Sequence, residues 1–332
     1  MRTGGARLVA AGILLSRLFG LVRQRVSAHY LGSGDAADAL AAAFRIPNLL
    51  QNLLGEGALS ASFIPAYSRL IAEGRHEDAG RLAGAVLGLL ALLVSVVVAV
   101  GVLGAPWLVA VLAPGFAGET RDLTVLLVRV IFPGLGLLVL SAWCLGVLNS
   151  HRRFFLSYVS PVLWNAAIIA ALLWKGPEQG MERLAVTVAW ASVLGAFLQL
   201  VIQLPTVWQV ERGLALRAGP SAGQVREVIG RFGPAVATRG VVQVSAYVDT
   251  LVASFLGVGA LATLAYAQAI AILPVSLFGI SIAAAELPAM SGATGEAAEV
   301  AAALRARLES GLRRVAFFVI PSAVAFVAIG WV

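Results

Sequence analysis

The sequence predicts an all-α polytopic membrane protein in which two parallel-repeat helical bundles surround a central cavity. Hydropathy, punctuation and an internal repeat carry that reading. Of the 332 residues, 60% are hydrophobic and 12% charged, and the mean hydropathy is +0.91, whereas a soluble domain carries about one-quarter charged residues. A helix needs roughly 20 mainly apolar residues to cross a hydrocarbon layer of ~30 Å, and such stretches follow one another with short polar breaks. Runs such as Ala83–Leu112 are apolar on every face, which excludes the alternating strands of a transmembrane barrel.

Helices are expected near 8–31, 38–71, 81–111, 122–148, 157–174, 183–208, 227–256, 260–289 and 312–332. The start from Met1 to Arg7 lacks the clean apolar core and cleavage site of a signal peptide, so helix 1 is read as a retained span. The breaks carry Gly32-Ser33-Gly34-Asp35, Ala113-Pro114-Gly115-Phe116, Lys175-Gly176-Pro177, Ala218-Gly219-Pro220-Ser221 and Ser291-Gly292, residues that favour turns over helix. Residues 211–226 and 296–310 are polar enough to lie on the membrane surface as amphipathic helices. The domain reading is an N-terminal six-helix bundle at 1–210, an amphipathic cytoplasmic linker at 211–226, and the start of a second bundle at 227–332. About three helices of that bundle are expected here, leaving it and the C-terminal helices incomplete.

A cytoplasmic N-terminus puts fifteen of the 24 basic residues on the cytoplasmic side, among them Arg69, Arg75, Arg81, Arg152 and Arg153. The opposite side receives Arg121, Lys175 and Arg183, and six fall within spans. This asymmetry orients a multi-pass chain with its N-terminus inside. It also accounts for the net charge of +7 without nucleic acid. Cys144 is the only cysteine and His29, His76 and His151 are scattered, so neither a disulfide framework nor a metal site or other cofactor is expected.

The repeat is visible where Ala28-His29-Tyr30-Leu31-Gly32-Ser33-Gly34 matches Ala253-Ser254-Phe255-Leu256-Gly257-Val258-Gly259 at an offset of 225. Six helices separate the copies, so they run parallel, as in transporters built from two bundles.

Charges inside the spans are the candidate functional residues. An arginine at a helix centre costs about 2.5–3.5 kcal/mol on insertion scales, and helix 1 carries Arg17, Arg23 and Arg25. Arg23 and Arg25 lie where snorkelling is open to them; Arg17 sits deepest, where a hydrated cavity is the natural environment. Asp38 and Arg45 are seven residues apart on nearly one helix face, open to an ion pair or to roles in the cavity. Pro47 and then Gly55-Glu56-Gly57 predict a bent or broken helix 2, with Glu56 serving either the broken backbone or a ligand. Arg239 and Asp249 in helix 7 are too far apart along the helix to pair directly. The intramembrane charge is mainly cationic, and arginine forks match phosphate oxygens, so an anionic ligand is expected. No nucleophile–base or metal-ligand cluster converges on one face, so the chain reads as no enzyme.

The words Ser16-Arg17-Leu18-Phe19-Gly20-Leu21-Val22-Arg23, Phe44-Arg45-Ile46-Pro47-Asn48-Leu49-Leu50 and Gly55-Glu56-Gly57-Ala58-Leu59-Ser60-Ala61-Ser62-Phe63-Ile64-Pro65 resemble the signature of the MurJ/MviN family of lipid II flippases. Ala105-Pro106-Trp107, Ala113-Pro114-Gly115-Phe116 and Gln199-Leu200-Val201-Ile202-Gln203-Leu204-Pro205 extend the resemblance along the chain. It implies a member of the multidrug/oligosaccharidyl-lipid/polysaccharide exporter superfamily in the bacterial cytoplasmic (inner) membrane, active in peptidoglycan biosynthesis, cell wall organization and cell shape. It further implies transport of lipid II, the undecaprenyl-diphosphate-linked peptidoglycan precursor, from the inner to the outer leaflet by alternating access. By the same resemblance the substrate-binding residues are Arg17, Arg23, Arg45, Asp38 and Glu56, and the helix hinge is Pro47, Gly55 and Gly57. Where family members have an acid after the second arginine, an arginine after Pro-Asn-Leu-Leu and an arginine in helix 8, this chain has Gln24, Gln51 and Ala269. Arg25 and Arg239 are candidate compensating cavity charges. The expected partners are lipid II or a related polyprenyl-diphosphate saccharide, the phospholipid bilayer and cell-wall synthesis proteins. The alternatives are an exporter of another polyprenyl-linked saccharide or amphiphile, and a non-transporting cell-wall scaffold.

Overall fold

A computed structural model of the chain describes residues 3–211, 228, 230, 232–234, 247–275, 279 and 297–330. Arg239, the linker from 212 and half of the expected helix 7 lie outside the described residues. The described residues are helices and short turns, with no strand among them. In order they form α1 (Thr3–Leu31), α2 (Asp35–Asn52), a π-helical turn (Leu53–Gly57), α3 (Ala58–Ala72), α4 (His76–Leu103), α5 (Ala105–Leu112), α6 (Gly118–Ser150), α7 (Phe154–Lys175) and α8 (Met181–Val210). After a helical segment over 247–253 come α9 (Ala260–Pro274) and α10 (Ala297–Ile329). By length and composition, five helices among the described residues can each cross a membrane: α4, α6, α7, α8 and the Leu304–Ile329 part of α10.

Two boundaries differ from expectation. The apolar run expected as one helix over 81–111 is interrupted at Gly104, and Pro106 enters at the start of α5. A proline nitrogen has no proton to give to the preceding turn, so a new helix starts most readily there. Conversely, the surface helix expected at 296–310 and the span expected at 312–332 are one continuous helix, α10. Only Gly311 punctuates that junction, and a single glycine in a helix interior costs about 1 kcal/mol.

The chain forms two compact units, Met1–Leu264 and Ala265–Val332. In the first unit α6 is the central post, packing against α2, α4 and α8, while α7 lies between α1 and α8. Its fully buried side chains include Phe132, Leu135, Trp143 and Leu148 of α6, with Phe63 and Tyr67 of α3. In the second unit α10 carries exposed Phe317, Ile320, Val324 and Val327, an apolar surface suited to hydrocarbon.

Polar groups in this core bond to one another. The Ser141 hydroxyl of α6 accepts from Gln199 Nε2 at 3.0 Å and from Gln203 Nε2 at 2.9 Å, both on α8. Gln203 Nε2 also donates to Ser160 of α7 at 2.5 Å. No water stands ready in hydrocarbon to take over an unmade bond, so such groups must be satisfied within the protein.

A second cluster joins three chain segments at the opposite end of α3 from the π-helical turn. The Tyr67 hydroxyl donates to the buried Glu211 carboxylate just beyond α8, and lies 2.9 Å from Nε2 of His151. Since the hydroxyl has one proton, His151 must be the donor in the second bond. Nearby, the turn between α3 and α4 is held by Arg75, whose Nε donates to Asp78 at 2.9 Å. Asp78 and Glu73 together hold that guanidinium above arginine's ordinary range.

The repeat read from the sequence has a structural counterpart. Gly32 and Gly257 both turn the chain with positive φ, +62° and +99°. The next helices begin after Gly34 and Gly259, and Asp38 N donates to Gly34 O at 3.0 Å just as Thr263 N donates to Gly259 O at 3.0 Å.

Candidate functional site

The two copies of this turn meet, and Asp38 is the centre of the contact. Its side chain is 2% exposed. One carboxylate oxygen accepts from the backbone N–H of Gly259 at 2.5 Å and the other from that of Ala262 at 2.7 Å. These belong to the first turn of α9, where N–H groups have no helical partner and the helix dipole favours an anion. The first copy thus supplies a cap for the second. Gly259 has φ +86°, and a Cβ built on it would lie 2.1 Å from the Ser33 carbonyl oxygen. Only glycine fits so close an approach with that backbone.

Further contacts widen the seal. The Gly115 N–H donates to Ser254 Oγ at 3.2 Å, and the Tyr247 hydroxyl donates to the Val111 carbonyl at 2.7 Å. Ala42, Ala253 and Leu261 form a small apolar core beneath it, flanked by Phe116 and Leu264. Asp35 accepts from the Thr120 hydroxyl at 2.8 Å, tying the start of α2 to α6.

The arginines fall into different environments. Arg17 and Arg25 are exposed, whereas Arg23 is half-buried. Its guanidinium lies 4.9 Å from the centre of the Trp164 ring on α7, within cation–π range, and its Nε is buried with no hydrogen-bond partner among the described residues. Trp164 also meets Phe44 of α2 edge-on at 6.0 Å, so one indole joins α1 to α2. Arg45 is half-buried and feels the charge of Asp249. Asp38 and Arg45, grouped from their spacing, therefore have different surroundings: the carboxylate binds backbone amides, while the guanidinium faces the segment over 247–253.

α2 runs unbroken through position 47, and the helix is interrupted later. Within Leu53–Gly57 the backbone leaves helical geometry at Gly55, with φ −84° and ψ −121°; π-type turns of this kind are frequent at functional sites. Glu56 and Gly57 contribute backbone to this turn. Gln51 and Ala269 are both half-buried.

Sequence reasoning missed Trp164, Ser254 and Tyr247. Phe154 to Trp164 carries aromatic residues at several positions, but none marks which one a distant arginine will stack on. Ser254 could have been found, since it sits inside the repeat, opposite His29.

A family model for lipid II flippase MurJ matches residues 27–331. Lipid II flippase MurJ of Burkholderia cenocepacia is 35% identical over 328 residues, covering 96% of this chain and 63% of that protein. A probable lipid II flippase MurJ of Haemophilus influenzae is 32% identical, covering 94% and 63%. The chain thus spans about 63% of the length of these curated relatives. Among solved structures, a lipid II flippase MurJ in an inward closed conformation superposes with a TM-score of 0.80 at 23% identity, covering 97% of this chain and 65% of that one. An inward-facing transporter of the multidrug-resistance MATE family gives 0.68 at 18% identity, covering 94% and 69%. These superpositions show that the chain shares the helical fold of those proteins. With the family model covering most of the sequence and the repeated turn built into that fold, this chain belongs to the lipid II flippase MurJ family.

Proposed function

We propose that this chain moves lipid II, a polyprenyl-diphosphate-linked peptidoglycan precursor, from the inner to the outer leaflet of the bacterial cytoplasmic membrane by alternating access. The observation that carries this reading is Arg23: a guanidinium stacked on Trp164 whose buried Nε has no hydrogen-bond acceptor among the described residues. A diphosphate offers oxygens that satisfy such a group and match its fork. Arg17 and Arg23 then hold the diphosphate, with Arg25 and Arg239 as compensating charges and Glu56 at the helix break. Gly55 and Gly57, with Pro47 ahead of them, supply the bend that lets α2 and α3 reorient. With the N-terminus in the cytoplasm, the Asp38 contact closes the outer mouth, and its release opens the route outward. Cell-wall synthesis proteins that consume lipid II are the partners this role calls for.

The test is leaflet-specific labelling of lipid II in cells depleted of the protein. Accumulation in the inner leaflet, reversed by the parent chain and not by Arg23→Gln, is expected. Unchanged leaflet distribution would refute the proposal. Gln51 and Ala269 favour a second reading, export of another polyprenyl-linked saccharide. In that case lipid II stays evenly accessible on depletion while a different polyprenyl-linked saccharide accumulates in the inner leaflet.

A further inference from the structure

A crevice of about 680 Å³ lies beside the Asp38 contact, between α2, α4, α5, α6 and the segment over 247–253. Arg45, Asn48 and Asn52 project from α2 into it, Val100 and Leu108 contribute to its apolar walls, and Tyr247 lines it from the far side. The bond from Tyr247 to the Val111 carbonyl, 2.7 Å long, bridges its edge. At its mouth Val100 is 64% exposed, so the crevice opens where lipid chains lie along a membrane-spanning helix.

We propose that this crevice is a binding site for one anionic phospholipid, the acyl chain lying along the valine and leucine wall and the phosphodiester meeting Arg45, Asn48 and Asn52. Volume and charge select this occupant. Ligand pockets are typically about 300–1,000 Å³, and at about 680 Å³ the space takes a length of hydrocarbon chain but not a lipid-linked saccharide headgroup. Its cation is Arg45, whose field is partly offset by Asp249. That balance suits a headgroup with a single negative charge, since a diphosphate would be repelled by the nearby carboxylate. The two asparagine amides add donors for the remaining phosphate oxygens. A phospholipid there packs α2 and α4 against the segment over 247–253 from the lipid side, next to the bonds that close the turn contact.

The proposal is tested with the whole chain in nanodiscs containing phosphatidylglycerol that carries a diazirine on one acyl chain, followed by photolysis and peptide mapping. Labelling is expected on peptides spanning 96–112. Val100→Trp and, separately, Val111→Trp fill the mouth and should each lower labelling there by about tenfold, the equivalent of about 1.4 kcal/mol. Leu103→Trp, which puts the same ring on α4 at a residue 80% exposed and outside the crevice, should leave it unchanged. Arg45→Gln should remove the preference for phosphatidylglycerol over a diazirine phosphatidylcholine. Three results would overturn the proposal: labelling unaffected by both tryptophans, equal labelling by the two headgroups in the parent chain, or displacement by an undecaprenyl diphosphate at concentrations where phosphatidylglycerol does not compete. The last would assign the crevice to a polyprenyl diphosphate instead.

Discussion

Replacing Asp38 by alanine removes the carboxylate that caps α9 and leaves the N–H groups of Gly259 and Ala262 without their acceptor. Hydrogen bonds to a charged group contribute about 1.5–3 kcal/mol each. Two such bonds at the lower end give about 3 kcal/mol, which shifts the equilibrium between closed and open turns roughly 100-fold. Asp38→Asn keeps one acceptor oxygen and should lose about half of that free energy. The assay is site-directed crosslinking between Ser33→Cys and Val258→Cys, both exposed, in a chain where the sole native cysteine, the buried Cys144, is replaced by alanine. The parent pair should crosslink efficiently with a short bifunctional reagent, the asparagine variant less so, and the alanine variant hardly at all. Equal crosslinking in all three would mean that the carboxylate does not hold the turns together, and the reasoning from two charge-assisted bonds would fail.

Tyr67→Phe deprives Glu211 and His151 of their shared hydroxyl, and should lower stability in detergent by about 1–3 kcal/mol, read as a drop in thermal midpoint. Gly101→Ala places a Cβ 1.8 Å from the Phe132 ring; the overpacking should cost about 1–3 kcal/mol, and Phe132→Leu in the same chain should recover most of it. Arg23→Lys keeps the charge but loses the planar fork over Trp164, and should slow lipid II transfer about tenfold in a reconstituted leaflet assay. Arg183→Lys, at an exposed position, should leave transfer near the parent rate.

Hydropathy and punctuation made the long helices legible because each needs only local information: twenty apolar residues, then glycine, proline or charge. The repeated turn was legible for a similar reason, since Gly32 and Gly257 are required by a backbone that swings to positive φ. What stayed hidden depends on distant partners. Asp38 and Arg45 share a face by periodicity, but the carboxylate's acceptor role was decided by N–H groups more than 220 residues along the chain. Trp164 gave no local sign of stacking on Arg23, and His151, read as one of three scattered histidines, is drawn to Glu211 only when α3, α6 and α8 come together. The break at Gly104 lay inside an unbroken apolar run, where hydropathy does not respond to a change in helix direction.

The bonds among Gln199, Gln203, Ser141 and Ser160 limit how this protein can move. Sliding α8 past α6 or α7 by one turn would part the amides from the hydroxyls in surroundings where no solvent can take their place. Shear between these three helices is therefore opposed by these bonds. A change of shape in this unit is then taken up most readily where the backbone is already irregular, at Gly55, or where a side chain meets bare amides, at Asp38.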